Sequence, residues 1–240
     1  IIHLAGQSFV PEAIKNPEQT MMVNFVGTLN LLQAMKRDGF CGDFLYVSSS
    51  DVYGPVPVEA LPILETCPAS PHNPYAVSKA AAELLCYQWS CIEPWRIIIA
   101  RPFNHIGPGQ RIDFIIPSIA VAIARIKLGI RNSIIELGNI DVTRDFTDVR
   151  DLVRAYLSLL TDGENGEIYN VCSGQDTRIR DMITKMSDIA GVHLEIAHDP
   201  ARYRPSDQKH VRGSCAKILA ATGWQPQIPL EQSLRNILSD

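Results

Sequence analysis

The sequence lacks basic clusters and long apolar runs. Its 240 residues carry a formal net charge of −4, and lysine and arginine form no run, so no basic surface for nucleic acid is predicted. No apolar stretch approaches the roughly 18 residues that a bilayer-spanning helix requires. The first ten residues have neither the basic region nor the cleavage site of a signal peptide. The sequence therefore predicts binding to neither nucleic acid nor a membrane.

Paired cysteines are also missing. Six cysteines are scattered along the chain without a C-x-x-C pair, and the six histidines do not cluster with them. A zinc site would need such clustering, so we expect no metal site. Unpaired cysteines in a chain of this size are typical of reduced, mostly buried thiols in a cytoplasmic protein.

What is present indicates a globular α/β protein. Hydrophobic residues make up 46% and charged residues 20% of the chain. Apolar runs at Ile1–Leu4, Asp43–Val47 and Trp95–Ala100 predict strands buried on both faces of a parallel sheet. Helical periodicity covers Thr20–Met35 and Pro74–Ser90. This alternation predicts a doubly wound α/β sheet.

The residue composition changes after Arg101, where a loop rich in proline and glycine begins. We divide the chain into residues 1–101, which form the sheet, and residues 102–240, which form mainly a smaller α/β lobe with some elements returning to the sheet. The second part is predicted to contain helices at about 115–127, 149–160, 179–190 and 230–238, and strands at about 134–137, 167–172 and 193–197.

The segment SPHNPYAVSKAAAELL places a tyrosine one turn before a lysine. Asn73 is a good N-cap, and Pro74 suits the first helical position. Tyr75 and Lys79 then lie on one helical face, where the ammonium is expected to lower the tyrosine pKa from about 10 and favour proton transfer at a carbonyl. A core tyrosine beside a solvated lysine explains the motif alone equally simply.

Polar residues follow two of the predicted strands. Ser48, Ser49, Ser50 and Asp51 come directly after Val47, and the loop RPFNHIGPGQ follows the next strand. Because the carboxyl ends of parallel strands meet at one edge, these loops and the tyrosine helix are predicted to converge on one crevice. Serine clusters are also common in loops without chemistry.

The segments HLAGQS, SSSDVYG, PYAVSK and RPFNHIGPGQ, in this order, resemble the extended short-chain dehydrogenase/reductase family of sugar-nucleotide epimerases, dehydratases and reductases. The resemblance covers essentially the whole chain. It implies an NADP or NAD cofactor and a nucleotide-sugar substrate. The segments LGNIDVTRDFTDVRDLVRAY and RYRPSD are most similar to family members that reduce C4 of a GDP-linked 4-keto-6-deoxyhexose, which makes such a reduction the expected activity.

The resemblance also implies roles for residues at the catalytic centre. Tyr75 would protonate the C4 oxygen, Ser49 would hydrogen-bond the same oxygen, and Lys79 would hold the nicotinamide ribose and lower the tyrosine pKa. Asp51 stands where dehydratases of the family carry a catalytic glutamate. It is a candidate for acid–base work, and capping of local backbone N–H groups is the alternative.

Further roles surround this centre. Leu4, Ala5 and Gly6 would form the turn beneath the cofactor. Asn104 and His105 would border the substrate and the nicotinamide.

Two arginines and an aspartate complete the implied substrate site. Arg144 and Arg204 would bind the diphosphate, since a guanidinium contacts two phosphate oxygens at once, and Asp207 would take a ribose hydroxyl. Arg144 beside Asp145 and Asp148 is equally compatible with a surface ion-pair cluster, and Arg202 could replace Arg204.

Other activities remain open at this stage. The family includes GDP-mannose and dTDP-glucose 4,6-dehydratases and UDP-sugar 4-epimerases, in which the cofactor is recycled. A non-catalytic binder of a nucleotide sugar is a further alternative. The intact Ser49, Tyr75 and Lys79 favour an enzyme.

Members of the family bind the cofactor phosphates with a glycine-rich G-x-x-G-x-x-G turn. No such motif precedes the first predicted strand, and none follows a later strand. We therefore expect a Rossmann-like parallel sheet without its N-terminal strands, about 70 residues at roughly 30 per βα unit, and weak dinucleotide binding by these 240 residues alone. The resemblance also implies a homodimer, in which the helix at 20–35 and the helix starting at Pro74 pack into a four-helix bundle.

Overall fold

The computed structural model describes residues 1–199 and 208–240, where strands alternate with helices. The strands are β1 (Ile2–His3), β2 (Asp43–Val47), β3 (Arg96–Pro102), β4 (Asn104–Ile106), β5 (Ile134–Leu137), β6 (Thr143–Asp148), β7 (Ile168–Val171), β8 (Asp176–Arg178) and β9 (Glu195–His198). The helices are α1 (Val10–Lys15), α2 (Pro17–Met21), α3 (Gly27–Arg37), α4 (Pro74–Ile92), α5 (Ile115–Lys127), α6 (Val149–Asp162), α7 (Ile179–Ala190), α8 (Ala216–Thr222) and α9 (Leu230–Ser239).

The central sheet is parallel throughout and has the order β1-β2-β3-β7. Leu45 of β2 pairs with Ile2 of β1 and with Ile98 of β3. The apolar runs of β2 and β3 are continuous because both faces of these strands are covered. The predicted α/β parallel sheet is confirmed, although β3 continues two residues beyond the predicted end at Ala100.

Helices cover the two faces of this sheet. On one face α3 and α4 pack against the side chains of β2 and β3 that include Phe44, Tyr46 and Ile97. On the other face α6 and α8, from the second half of the chain, pack against Leu45 and Ile98. The strand β7 also joins the sheet, so several elements beyond residue 101 return to it.

The remaining elements form a second packed unit. The strands β4, β6 and β8 make one small sheet, and β5 pairs with β9. Helices α5, α7 and α9 share an aliphatic core that includes Ile119, Met182 and Leu234. The predicted bounds of α5 and α7 match the observed ones. In the described residues, every helix is too short or too polar to cross a membrane.

Candidate active site

The candidate site lies at the edge where the carboxyl ends of β1, β2 and β3 meet. The last residue of β2, Val47, is level with Ala100 of β3, and the Ser48 N–H donates to the Ala100 carbonyl at 2.8 Å. The helix α4 begins at the predicted Pro74, where the Asn73 side chain accepts a hydrogen bond from Ala76 N–H at 2.8 Å. This cap fixes the first turn of α4.

Tyr75 is the second residue of α4 and is only 9% exposed. Burial and the negative charge of nearby Asp51 raise the pKa of its phenol above the ordinary value, while a hydrogen bond with Ser49 lowers that pKa. The expected net lowering of the Tyr75 pKa is therefore wrong, because burial, the largest effect, raises that pKa. Tyr75 is a neutral phenol, suited to donating a proton.

Lys79 lies one turn further along α4 and is 5% exposed. Its ammonium donates a hydrogen bond to the Val47 carbonyl at 2.8 Å and lies 5.1 Å from the centre of the Tyr46 ring. Burial lowers the pKa of Lys79 to about 8. The cation is thus fixed at the carboxyl end of β2, below the site.

The turn at Leu4, Ala5 and Gly6 follows β1 and is exposed. A Cβ atom on Gly6 would lie 3.4 Å from Lys79 Nζ and 3.1 Å from Asn24 Oδ1. This turn therefore passes close to the buried ammonium and leaves little room for a side chain there. The arrangement fits the predicted position of the turn beneath a nicotinamide cofactor.

Asp51 lies in a 3₁₀ turn that covers Ser50–Tyr53, and Ser49 directly precedes this turn. The Ser49 hydroxyl accepts a hydrogen bond from Asp51 N–H at 3.2 Å, so Ser49, and not Asp51, caps the turn. Asp51 itself is exposed and close enough to Tyr75 to act on its pKa. The structure thus brings together Ser49, Asp51, Tyr75, Lys79 and the Gly6 turn.

Asn104 and His105 lie on β4, two and three residues beyond β3, and both are exposed. His105 Nδ1 is 3.1 Å from the Phe103 carbonyl oxygen, and Gln110 Nε2 donates to the His105 carbonyl at 3.2 Å. These contacts hold the loop that leaves the carboxyl end of β3.

Arg144 lies on β6 in the second half of the chain. Its Nη1 donates to the Thr143 carbonyl at 2.8 Å and to the Gln208 carbonyl at 2.7 Å. The neighbouring Asp145 is fully buried, which excludes a place for that carboxylate in a surface ion-pair cluster. The other predicted contacts, Arg204 and Asp207, and the alternative Arg202 fall outside the described residues.

The sequence analysis missed Asn24. The predicted helix at 20–35 is interrupted by a π-helical turn at Met22–Val26, and π-turns frequently mark functional sites. The turn buries Asn24, which accepts from Gln7 N–H at 2.7 Å and donates to the Gln7 carbonyl and to Ser78 Oγ, each at 2.9 Å. Its only sequence signal is an amide within an otherwise apolar helical stretch.

Asn24 connects the segment after the Leu4–Gly6 turn to the helix α4. Ser78 Oγ donates in turn to the Tyr75 carbonyl at 2.7 Å. The amide of Asn24 thus ties the segment that follows Gly6 to the first turn of α4. In the described residues, no group of three or more histidine, cysteine, aspartate or glutamate side chains could hold a metal ion.

Comparison with known proteins identifies the family. The model of the family described as GDP-mannose 4,6 dehydratase matches residues 1–237. The chain belongs to this family. GDP-6-deoxy-D-mannose reductase of Pseudomonas aeruginosa is 58% identical over 240 residues, which are 100% of this chain and 79% of the relative. The predicted resemblance to nucleotide-sugar enzymes of this kind is confirmed.

A solved structure and a second relative are also similar to this chain. The structure of RMD from Pseudomonas aeruginosa complexed with NADPH matches with a TM-score of 0.96 and 57% identity, and it covers 99% of this chain and 79% of that chain. The dTDP-glucose 4,6-dehydratase of Haemophilus influenzae is 30% identical over 98% of this chain and 73% of the relative.

Proposed function

We propose that this protein reduces the C4 keto group of GDP-4-keto-6-deoxy-D-mannose to give GDP-D-rhamnose, with NADPH as the hydride donor. The observation that carries the proposal is the 58% identity to a GDP-6-deoxy-D-mannose reductase along the whole chain. Similarity to GDP-mannose 4,6-dehydratases stays at 26–28%. NADPH is chosen over NADH because the structure at 57% identity is complexed with NADPH.

The residues present fit a nicotinamide cofactor. The turn Leu4–Gly6 runs beside the buried ammonium of Lys79, and a Cβ on Gly6 would contact that ammonium at 3.4 Å. We assign Leu4, Ala5, Gly6, Tyr75, Lys79 and His105 to cofactor binding. When bound, the cofactor supplies the hydride.

Three side chains take part in proton transfer to the C4 oxygen. Tyr75 stays protonated at neutral pH because burial raises the pKa of its phenol, so it can donate a proton to the C4 oxygen. The Ser49 hydroxyl, which also hydrogen-bonds Tyr75, orients the same oxygen. The buried ammonium of Lys79 stabilises the negative charge that Tyr75 carries after the transfer.

Substrate binding is assigned to Ser49, Asn104, Arg144, Arg204 and Asp207. Asn104 is exposed beyond the carboxyl end of β3, and Arg144 is held by backbone carbonyls of Thr143 and Gln208. The guanidinium of an arginine suits a diphosphate. In this assignment residues 1–101 bind the cofactor and residues 102–240 bind mainly the nucleotide sugar.

A dehydratase is the second candidate because Asp51 lies next to Tyr75. Its carboxylate is close enough to act on the pKa of the phenol, and it is exposed to a bound sugar. Acid–base work by Asp51 at the sugar would allow dehydration of GDP-mannose with a recycled cofactor. The two candidates differ in whether the cofactor is consumed.

We also propose a homodimer through a four-helix bundle. The helix α4 exposes Val77, Leu84 and Tyr87 along one face, and the π-turn exposes Met22 and Val23. Packing these apolar side chains against a second copy would remove them from water. Leu84→Lys should convert the dimer to a monomer in sedimentation velocity, and an unchanged sedimentation coefficient would reject this interface.

We propose the cytoplasm as the place of action. All six cysteines are unpaired, which matches a reducing compartment. Nucleotide sugars and NADPH are compatible with that location.

The experiment that tests the activity uses the complete protein with GDP-4-keto-6-deoxy-D-mannose and NADPH. We expect loss of absorbance of the reduced cofactor in stoichiometry with formation of GDP-D-rhamnose. The Tyr75→Phe protein is the matched control. Conversion of GDP-mannose to the keto sugar without cofactor loss would reject the reductase and support the dehydratase.

A further inference from the structure

The buried face of α4 carries three ionisable side chains at intervals of four residues. Tyr75, Lys79 and Glu83 are 9%, 5% and 4% exposed. Residues four apart on a helix are neighbours, with Cβ atoms about 5–6 Å apart. Glu83 is thus the next side chain along this face beyond the two that meet the reacting centre.

Glu83 is fixed by an arginine from the sheet. Arg101 of β3 donates to both carboxylate oxygens, with Nε–Oε1 at 2.9 Å and Nη2–Oε2 at 2.6 Å. Both side chains are 5% exposed. The guanidinium lies 4.6 Å from the centre of the Tyr53 ring, and the Tyr53 hydroxyl donates to Asn170 Oδ1 at 2.6 Å. The carboxylate therefore has one defined position.

The pair connects the elements that carry the site. Arg101 is three residues before Asn104, the first residue of β4, and Tyr53 ends the 3₁₀ turn that Ser49 caps. Through Glu83 these elements are tied to α4.

Lys79, Glu83 and Arg101 carry two positive charges and one negative charge. Lys79 and Arg101 are buried cations, while Glu83 is the carboxylate on the same face of α4. In the part of the chain that the structure describes, Lys79 has a backbone carbonyl as its hydrogen-bond acceptor and forms no ion pair with a carboxylate. A buried ammonium without a counter-charge is unstable as a cation, since burial disfavours the charged form.

We propose that Glu83 is a positioning residue for the reaction: its carboxylate, fixed by Arg101, is the counter-charge that holds Lys79 as a cation beside the cofactor turn. Glu83 acts through Lys79 and does not touch the reacting atoms.

Groups from several elements face Lys79. Burial, and to a smaller extent the charge of nearby Lys79, lower the pKa of the imidazole of His3 on β1. Tyr46 of β2 lies under the ammonium. From α4 itself, Cys86 and Glu83 raise the pKa of Lys79 against the larger opposing effect of burial. Of these neighbours, Glu83 is the one that is ordinarily negative at neutral pH.

The test replaces Glu83 by glutamine, which keeps the shape and one hydrogen bond to Arg101 but removes the charge. The readout is the titration of the Lys79 ammonium by ¹³C and ¹⁵N NMR in the cofactor-free complete protein, assigned with Lys79→Met. The midpoint should fall by about one pH unit relative to the parent.

Two companion variants fix the interpretation. Glu83→Asp keeps the charge and should restore most of the shift. Arg101→Gln frees the carboxylate toward Lys79 and should move the midpoint upward. Because Glu83→Gln and Arg101→Gln should shift the Lys79 midpoint in opposite directions, Arg101→Gln still tests the proposal if Glu83→Gln folds poorly.

Asp151→Asn is the matched structural control, because Asp151 is also a fully buried carboxylate in an ion pair with arginine. It should lower the melting temperature without moving the Lys79 midpoint. If Glu83→Gln lowers only the melting temperature and leaves the midpoint unchanged, the pair has a structural role alone and the proposal is wrong.

The catalytic consequence rests on the proposed function. In Glu83→Gln the alkaline limb of the kcat profile should shift downward with the NMR midpoint, while KM for the sugar stays near the parent value. The titration itself needs no substrate, so a failed reductase assay with a shifted midpoint would reject the function and keep the role of Glu83.

Discussion

The two halves of the molecule use buried charge in opposite ways. In residues 102–240 the buried carboxylates accept hydrogen bonds from the backbone. In residues 1–101 the buried ammonium of Lys79 donates to one backbone carbonyl and lies next to the exposed turn after β1. The contrast separates groups that hold the chain together from groups that are available for chemistry.

Asp145 represents the second half. Its two oxygens accept from Ser173 N–H at 2.7 Å, Gly174 N–H at 3.0 Å and Gly213 N–H at 3.1 Å, and from the Ser173 hydroxyl at 2.6 Å. Every lone pair has a donor, so this carboxylate joins three segments and has no capacity left for a substrate.

Lys79 represents the first half. Its ammonium can donate three hydrogen bonds, and one goes to Val47. Among the described residues the ammonium has no second acceptor, and its Nζ lies near Gly6, at the exposed turn after β1. A buried cation with spare donors beside an open turn is suited to a ligand that carries hydroxyl groups.

The largest expected effect is the loss of the phenol at the reacting centre. Tyr75→Phe keeps the packing of the ring but removes the proton donor, so kcat should fall roughly 10²–10⁴-fold. Binding of the nucleotide sugar, measured by calorimetry, should stay close to that of the parent protein. A variant with near-normal kcat would mean that another group donates the proton.

The next largest effect is a loss of stability when a buried carboxylate of residues 102–240 is removed. Asp145→Ala leaves several buried N–H groups without an acceptor, and each such group costs about 1–3 kcal/mol. Urea unfolding should show this loss of stability, while kcat per folded molecule is kept. The surface pair of Asp141 and Arg180 offers a control, since Asp141→Asn should change stability very little.

Replacing Asn24 should reduce both stability and cofactor binding, each by less than the changes described above. Asn24→Ala removes the amide that connects Gln7 to Ser78 on α4. We expect a stability loss of about 1–3 kcal/mol and a rise in KM for the cofactor of about tenfold. Unchanged cofactor binding would show that the turn after β1 does not depend on this amide.

The smallest effect is a pH dependence. Burial lowers the pKa of Lys79 to about 8, so the cation is lost as the pH rises through that value. The kcat should decline roughly fourfold between about pH 7 and about pH 8.5 if the cation is required. Stability changes in the opposite sense: above about pH 8 the unfolded chain still binds this proton, so raising the pH toward about 10 makes this group less destabilising.

Many of the helices and strands could be predicted because they follow from local sequence patterns. The bounds of β2, α5 and α7 follow from apolar runs and helical periodicity, and the cap at Asn73 follows from the residues themselves. The convergence of Ser49 and Tyr75 follows from the parallel sheet, where strand ends share one edge.

The rest depends on partners far apart in sequence. Asn24 meets Ser78 across 54 positions, and no local pattern signals the π-turn that permits this contact. The Glu83–Arg101 pair spans a helix and a strand. The pKa of Tyr75 was misjudged because the i, i+4 spacing shows the neighbouring lysine but not the depth of burial.

The most direct test of the account follows a labelled hydride. The complete protein is incubated with GDP-4-keto-6-deoxy-D-mannose and NADPH deuterated at the transferring position of C4 of its nicotinamide, and the product is examined by NMR. The account predicts deuterium at C4 of the sugar and one oxidised cofactor for each product formed. A product without deuterium at C4, or conversion of GDP-mannose with the cofactor unchanged, would contradict it.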